Sequence, residues 1–451
     1  MALQATTVWE LRSDGSDNNG GGYTSGGTDY SQQAAAELNP TDLAMAQSST
    51  TLTSATGGFT SAMVGNVIQI TAGTNFDTGW YEITAYTNTN TVTLDRTAAS
   101  GGNGSSGTGY VGGALASFGI IGKICTDHGV AGWTFYVKNG TYLCSTTSTN
   151  VSGGFIDLSG SYDKALTIKG YDTDRTGDWG TNRPTMDANG QNANDYMIES
   201  DCNAAGEAFV LQNVIVDCDS GADLNGVNGG GSQYAKLYYV DILNVGTGEV
   251  GVLSAACVRC KSEGSGTRGF FTCICYGCIS IGHTKGYDTS YCVCCIADGC
   301  TSGFYDSYLA VNCTSYNSGG DGFDFADRGT LHINCYAGEN GAYGFDLNGS
   351  AALYNCAGYS NTSGNVNGGP AVDIGFNSSI TGQPLTDPGN DDFYPDNTAN
   401  EGQELRAGGL GVYGQSGSSA HGIDIGAVQH ADPAGGDGGV QLGPFSAGAW
   451  R

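Results

Sequence analysis

The chain has 451 residues, with 76 glycines, 16 cysteines and only 13 % charged residues, and a formal charge of −28. Such an acid excess excludes a nucleic-acid partner and docking on anionic lipid, both of which need clustered Lys and Arg. No apolar run approaches the roughly 20 residues that span a bilayer, so no membrane insertion is expected, and the glycines follow no Gly-X-Y period that would make a collagen.

Residues 1–40, a candidate docking segment, carry one strand-like run, Val8–Arg12, and then the polar stretch Ser13–Gly22. The opening residues lack both a basic and an apolar signal region, so assembly in a cytoplasm is expected. Asp14, Ser16 and Asn18 alternate ahead of Gly20 in the manner of a calcium loop. The distal bidentate glutamate is missing, which favours a turn-rich loop and no metal. Residues 41–117 hold short alternating runs at 65–70, 79–84, 91–95 and 109–111, separated by Asn- and Gly-rich turns. That spacing predicts a small antiparallel β domain.

From 118 a short helix over 120–124 is expected to cap a stack of coils extending to 365. The polar loop at 171–190 is expected to project from it. The repeat is plainest at Cys260, Cys278, Cys295, Cys313, Cys335 and Cys356, spaced 17 to 22 residues apart. The pairs Gly269-Phe270, Gly286-Tyr287, Gly303-Phe304, Gly322-Phe323 and Gly344-Phe345 keep the same beat. A unit this short makes one supersecondary turn, which cannot bury its own apolar side and must stack on its neighbours. Glycine and β-branched residues argue against helices, while runs such as Leu331–Cys335 alternate as strands do. The reading is an all-β chain, a right-handed parallel β-helix with a thiol column and an aromatic column inside, preceded by the small antiparallel domain. Residues 366–430 are expected to form terminal coils and a cap, and 431–451 a Gly-rich linker ending in a peptide with Phe445 and Trp450.

The pairs Cys257/Cys260, Cys275/Cys278 and Cys292/Cys295 copy the spacing of zinc ligands. Residues three apart on a strand point to opposite faces, so free interior thiols are expected instead of a metal site. Asp324 and Asp346, each following the aromatic of a repeat, are expected to face outward with Asp288 as an acidic column. Asp327, Arg328, His332 and Glu339 could line a groove with them, and paired carboxylates are what glycoside hydrolysis requires. A solvated acidic edge is the alternative. No phosphate-cradling glycine loop precedes a helix, and no cofactor is expected.

Val8-Trp9-Glu10, Asp17–Gly22, Gly79–Thr84 and Lys138–Tyr142 together resemble phage virion proteins of the β-helix class. Gly170–Arg175 with Arg183–Thr185 is similar to a strand-and-loop region of pectate-lyase-like β-helices, and Ile423–Ala427 to their closing strand. The resemblance implies a homotrimeric tail spike, fibre or capsid projection located in the virion and contacting other virion proteins. Two further functions stay open: a polysaccharide depolymerase acting on host surface glycan, and a non-catalytic glycan-binding adhesin.

Overall fold

A computed structural model describes residues 3–128, 132–144, 154–158, 166–176, 182–191, 196–200, 209–219, 224–230, 235–325, 330–347, 351–369, 372–377, 380–390, 392–396, 401–405 and 426. The chain divides into two compact units, one of residues 1–217 with 229–236, the other of 218–228 with 237–451. Among the described residues no helix is long and apolar enough to cross a membrane.

In the first unit, Val8–Leu11 pairs in parallel with Thr134–Lys138, which pairs with Leu166–Tyr171, and that strand with Phe209–Gln212. The parallel stack therefore begins at Val8 and not at 118. The inward side chains explain the pairing: Trp9 stacks on Phe135 at 5.7 Å and meets Trp133 edge-on at 5.6 Å. Between these first two strands the chain makes a closed antiparallel barrel of six strands, Leu43–Met45, Thr51–Ser54, Val67–Thr74, Gly79–Asn88, Thr91–Leu94 and Gly104–Val111. The first two are only three and four residues long, too short for the alternation test. Leu43, Leu52, Ile68, Ile70, Ile83 and Val92 fill the barrel from alternate positions. Phe76 packs so close to Gly107 that a Cβ there would sit 2.6 Å from its ring, which is why the strand narrows to glycine.

The expected capping helix runs Gly119–His128 and buries Ile120, Ile121, Ile124 and Cys125. The loop after Tyr171 does not project at its start but folds back on the first strand. Arg175 donates to the fully buried Glu10 at 2.7 Å, to Asp29 at 2.9 Å and to Ser31 at 2.9 Å, while the Tyr171 hydroxyl donates to the other Glu10 oxygen. Burial raises the Glu10 pKa, and the Arg175 charge works against that rise.

In the second unit, each coil contributes one short strand to each of three parallel sheets, the right-handed β-helix that the repeat implies. The first sheet holds Ala255–Val258, Ile274–Tyr276, Tyr291–Val293, Leu309–Val311, Leu331–Ile333 and Ala352–Tyr354. Lys261–Gly264, Ile279–Ile281, Ile296–Asp298, Thr314–Tyr316, Tyr336–Gly338 and Ala357–Tyr359 form the second. The third runs from Val250–Leu253 through Arg268–Phe271, Lys285–Asp288, Ser302–Tyr305, Phe323–Phe325 and Tyr343–Leu347 to Gly364–Asn367.

Single residues in the left-handed region make the corners. Between the first and second sheets these are Arg259, Gly277, Cys294, Asn312 and Asn334, with φ of 51–62°, and then Asn355 at 53°. Asparagine tolerates this conformation, and three of them form a ladder: the Asn334 amide donates to Asn312 at 3.0 Å, and that of Asn355 to Asn334 at 3.3 Å. These corners overturn the expectation that cysteines three apart face opposite ways. The left-handed residue between them resets the alternation, so Cys257 and Cys260, like Cys275 and Cys278, all point inward and are buried.

Cys260, Cys278, Cys295, Cys313, Cys335 and Cys356 occupy equivalent buried positions just after that corner. Each thiol reaches a carbonyl of the preceding coil, as from Cys278 to Cys257 O and from Cys313 to Cys292 O, both at 3.5 Å. A small side chain that also donates weakly suits a site where a carbonyl faces the interior. All described cysteines are unbridged and buried, and burial pushes the Cys300 thiol up to about 12. Beside them Phe270, Tyr287, Phe304, Phe323 and Phe345 stack with ring centroids 4.6–5.1 Å apart. Further along, Ile380, Leu385, Phe393 and Leu405 cover the outer face of the second sheet, against Ile279, Ile296, Tyr336 and Ala357.

Candidate functional site

The outer face of the third sheet carries the chemistry. In register along it lie Phe271, Asp288, Tyr305, Asp324, Asp346 and Asn367. The period that repeats an inward aromatic also repeats the residue after it on the outside. The expected acidic column is thus interrupted by Tyr305, and its lower member is neutralised. Asp288 is 3 % exposed and receives Arg268 at 2.6 Å and Lys285 at 3.4 Å. Arg268 also lies 4.3 Å over the Phe271 ring, and Lys285 3.2 Å over that of Tyr305.

Above Tyr305 no cation is paired with the carboxylates among the described residues. Asp324 and Asp346 are direct partners on adjacent strands, and Asp321 joins them from the turn before the Asp324 strand. One carboxylate oxygen from each lies within 4.8 Å of the others. Asp321 accepts the backbone N–H of Tyr343 at 2.8 Å, and Asp346 accepts the Asn367 amide at 3.0 Å, which fixes both carboxylates in place. Desolvation, followed by the charges of Asp321 and Asp346, pushes Asp324 up to about 6. Asp321 is raised too, chiefly by burial. Such a cluster holds a proton near neutral pH, or offers oxygen ligands to a hard divalent cation.

The structure separates the other candidates. His332 is an interior residue, fully buried in the first sheet, where it contacts Phe325 at 4.2 Å and bonds Thr330 at 3.0 Å. It follows the inward alternation of its strand, so it does not line the groove. Glu339 occupies a left-handed corner on the far side of the second sheet, held at 2.6 Å by both Tyr316 and Gln383. Asp327 and Arg328 lie outside the described residues. Asp14 is gripped by Nε and Nη2 of Arg12 at 2.8 and 3.0 Å, which lowers its pKa, and Ser16 accepts the N–H of Asn18 at 3.3 Å. Those three residues stabilise a turn and do not converge on one point. Asp321 escapes sequence reasoning because it lies in the Gly319–Gly322 turn, outside the repeated Gly-aromatic-Asp motif.

Fold and face together define a parallel β-helix with an acidic, aromatic-flanked patch on one sheet. No protein-family model and no curated protein matches the sequence. Among solved structures it is similar to the catalytic domain of a GH87 α-1,3-glucanase in complex with nigerose, at 9 % identity and a TM-score of 0.23, covering 76 % of this chain and 90 % of that one. A variant of such a domain in complex with tetrasaccharides matches over the same shares at 9 % identity and a TM-score of 0.18. Similarity at this level transfers no residue roles.

Proposed function

We propose that the chain acts on a polysaccharide, with Asp321, Asp324 and Asp346 as its reactive carboxyl groups. The observation that carries this reading is the meeting of three carboxylates, one of them held near pKa 6, on an outer face flanked by Tyr305 and Tyr343. Glycoside hydrolysis needs one carboxylic acid and one carboxylate at the same pH, and a cluster with unequal pKa values supplies both. Asp324 gives its proton to the departing glycosidic oxygen, an ionised neighbour assists at the anomeric carbon, and water supplies the new hydroxyl there and the proton that restores Asp324. One oxygen of each carboxylate lies within 4.8 Å of the others, close enough for the three to face a single glycosidic linkage. Sugars pack well on flat aromatic faces, the role assigned to Tyr305 and Tyr343.

The test is incubation with a panel of neutral and acidic polysaccharides, followed by an assay for new reducing ends. Asp324→Asn should reduce release by about 10²-fold or more, the usual scale for a lost general acid. No release from any polymer, together with no glycan binding, rejects this function.

A second reading is a virion projection, a β-helical spike, fibre or capsid decoration. It is favoured by the phage-type motifs at Val8–Glu10, Asp17–Gly22 and Gly79–Thr84. The two readings are compatible, since a projection that cuts host glycan serves both. Immunogold labelling of particles with antibody to this chain tests the assignment, and unlabelled particles would reject it.

A further inference from the structure

The outer face of the third sheet changes sign along the stack. Two columns run along it, one from Arg268 through Lys285 to Ser302, the other from Phe271 through Asp288 and Tyr305 to Asp324. The first column reaches Asp321 on the next coil, where the Gly303 N–H donates to the Asp321 carbonyl at 3.1 Å. One end of the face is therefore cationic, at Arg268 and Lys285, and the other anionic, at Asp321, Asp324 and Asp346. Asp288 does not use up the two cations. Both bear on its Oδ2, Arg268 through Nε at 2.6 Å and Lys285 at 3.4 Å, which leaves one positive charge in excess. No described residue accepts from Nη1 or Nη2 of Arg268, and its Cζ lies 4.3 Å over the Phe271 ring, which holds the fork of those two nitrogens in place. The Arg268 side chain is 33 % and that of Lys285 25 % exposed, so both reach solvent. A guanidinium fork beside an ammonium suits a carboxylate.

Building on the polysaccharide activity proposed above, we infer that the substrate is a sparsely charged heteropolymer, with an acidic sugar seated on Arg268 and Lys285 and neutral sugars at the linkage that is cut. Spacing and repulsion both select it. Equivalent positions on successive coils lie about 4.8 Å apart, close to the length of one sugar in an extended chain, so Lys285 and Arg268 stand about two and three sugars from Asp324. A uronate at the cut linkage meets Asp321 and Asp346 instead, and like charges at that range repel. A polymer with a carboxylate on every sugar is also repelled by a chain of charge −28. The class is thus a polysaccharide whose repeat carries an isolated uronate, neither a polyuronate nor a neutral glucan.

The test offers polymers with isolated uronates (gellan, xanthan), polyuronates (polygalacturonate, alginate) and neutral dextran to the full-length wild type for cleavage and to Asp324→Asn for binding. The isolated-uronate class should lead in both. Reducing its carboxyl groups to alcohols keeps every linkage. That change should weaken binding and raise KM by about 10- to 100-fold, the scale of lost hydrogen bonds to charged groups, with kcat little altered. Arg268→Gln with Lys285→Gln and Asp288→Asn removes the charges together, so no buried carboxylate is stranded, and should treat native and reduced polymer alike. Equal handling of the two polymers by the wild type overturns the inference, a comparison that stands even where the triple variant does not fold. A triple variant that folds and still prefers the native polymer overturns it too. Cleavage or binding of dextran or polyuronates alone also overturns it, while leaving the polysaccharide activity standing. Neither cleavage nor binding of any polymer rejects that activity itself and this inference with it.

Discussion

The barrel of residues 43–111 and the coils of residues 255–360 solve the same burial problem in opposite ways. In the barrel, six antiparallel strands close on themselves, and Leu43, Ile68, Ile83 and Val92 meet once each in a single common core. In the coils, the core is a set of columns, and a residue touches mainly its equivalents one coil above and below. Phe304 lies 4.7 Å from Tyr287 and 4.6 Å from Phe323 and has little else of its kind to rely on. A barrel position is therefore constrained by the whole core, whereas a coil position is constrained by its period. Repetition follows: only the coils reuse one residue type at each turn.

The largest effect should come from the aromatic column. Phe304→Ala removes a fully buried ring from between two others and should destabilise the second unit by about 3–5 kcal/mol in urea unfolding. Amide exchange should speed up around 287–323 and stay unchanged in the barrel; loss of barrel protection would break the comparison. The converse substitution, Ile68→Ala, should cost about 2–5 kcal/mol and loosen all six barrel strands together. Exchange confined to Val67–Thr74 would show that the barrel too is only locally coupled.

Cys313→Phe should cost about 1–3 kcal/mol through overpacking of a column built for small side chains, and Cys313→Ala less. Asn334→Ala loses both ladder hydrogen bonds and places an alanine at φ 53°, for about 1–2 kcal/mol, and Asn334→Gly should recover part of that.

The smallest effect is pH-dependent and has a counterpart in both regions. Burial raises Asp324 to about 6 and Glu82 in the barrel to about 7, well above the ordinary carboxyl range. In each case the folded state prefers the proton, so stability falls as pH rises past the unfolded value and through the folded one. Asp324→Asn removes that cost. It should stabilise the fold by about 1–2 kcal/mol at pH 8, after allowing for solvent screening, and by nothing near pH 3.5. Equal melting shifts at the two pH values would contradict the raised pKa.

Much of this was legible in the sequence because the coils repeat. A period of 17 to 22 residues marked by cysteine and Gly-aromatic pairs dictates stacking, and stacking dictates which residues form columns. Asp324 and Asp346 were readable as outward neighbours for the same reason. What the period does not encode is where the chain turns. The left-handed corners at Arg259, Gly277 and Cys294 bring both cysteines of each pair inside, against simple alternation. Strand alternation buries His332, and a corner carries Glu339 to another face. Nor does it encode contacts between distant segments. Glu10 meets Arg175 across 165 residues, Asp321 enters the carboxylate cluster from a glycine turn, and the 380–405 segment selects one apolar face to cover. Local periodicity fixes neighbours along the stack, while the direction of each side chain at a corner and the return of a distant segment depend on backbone geometry that only the folded chain supplies.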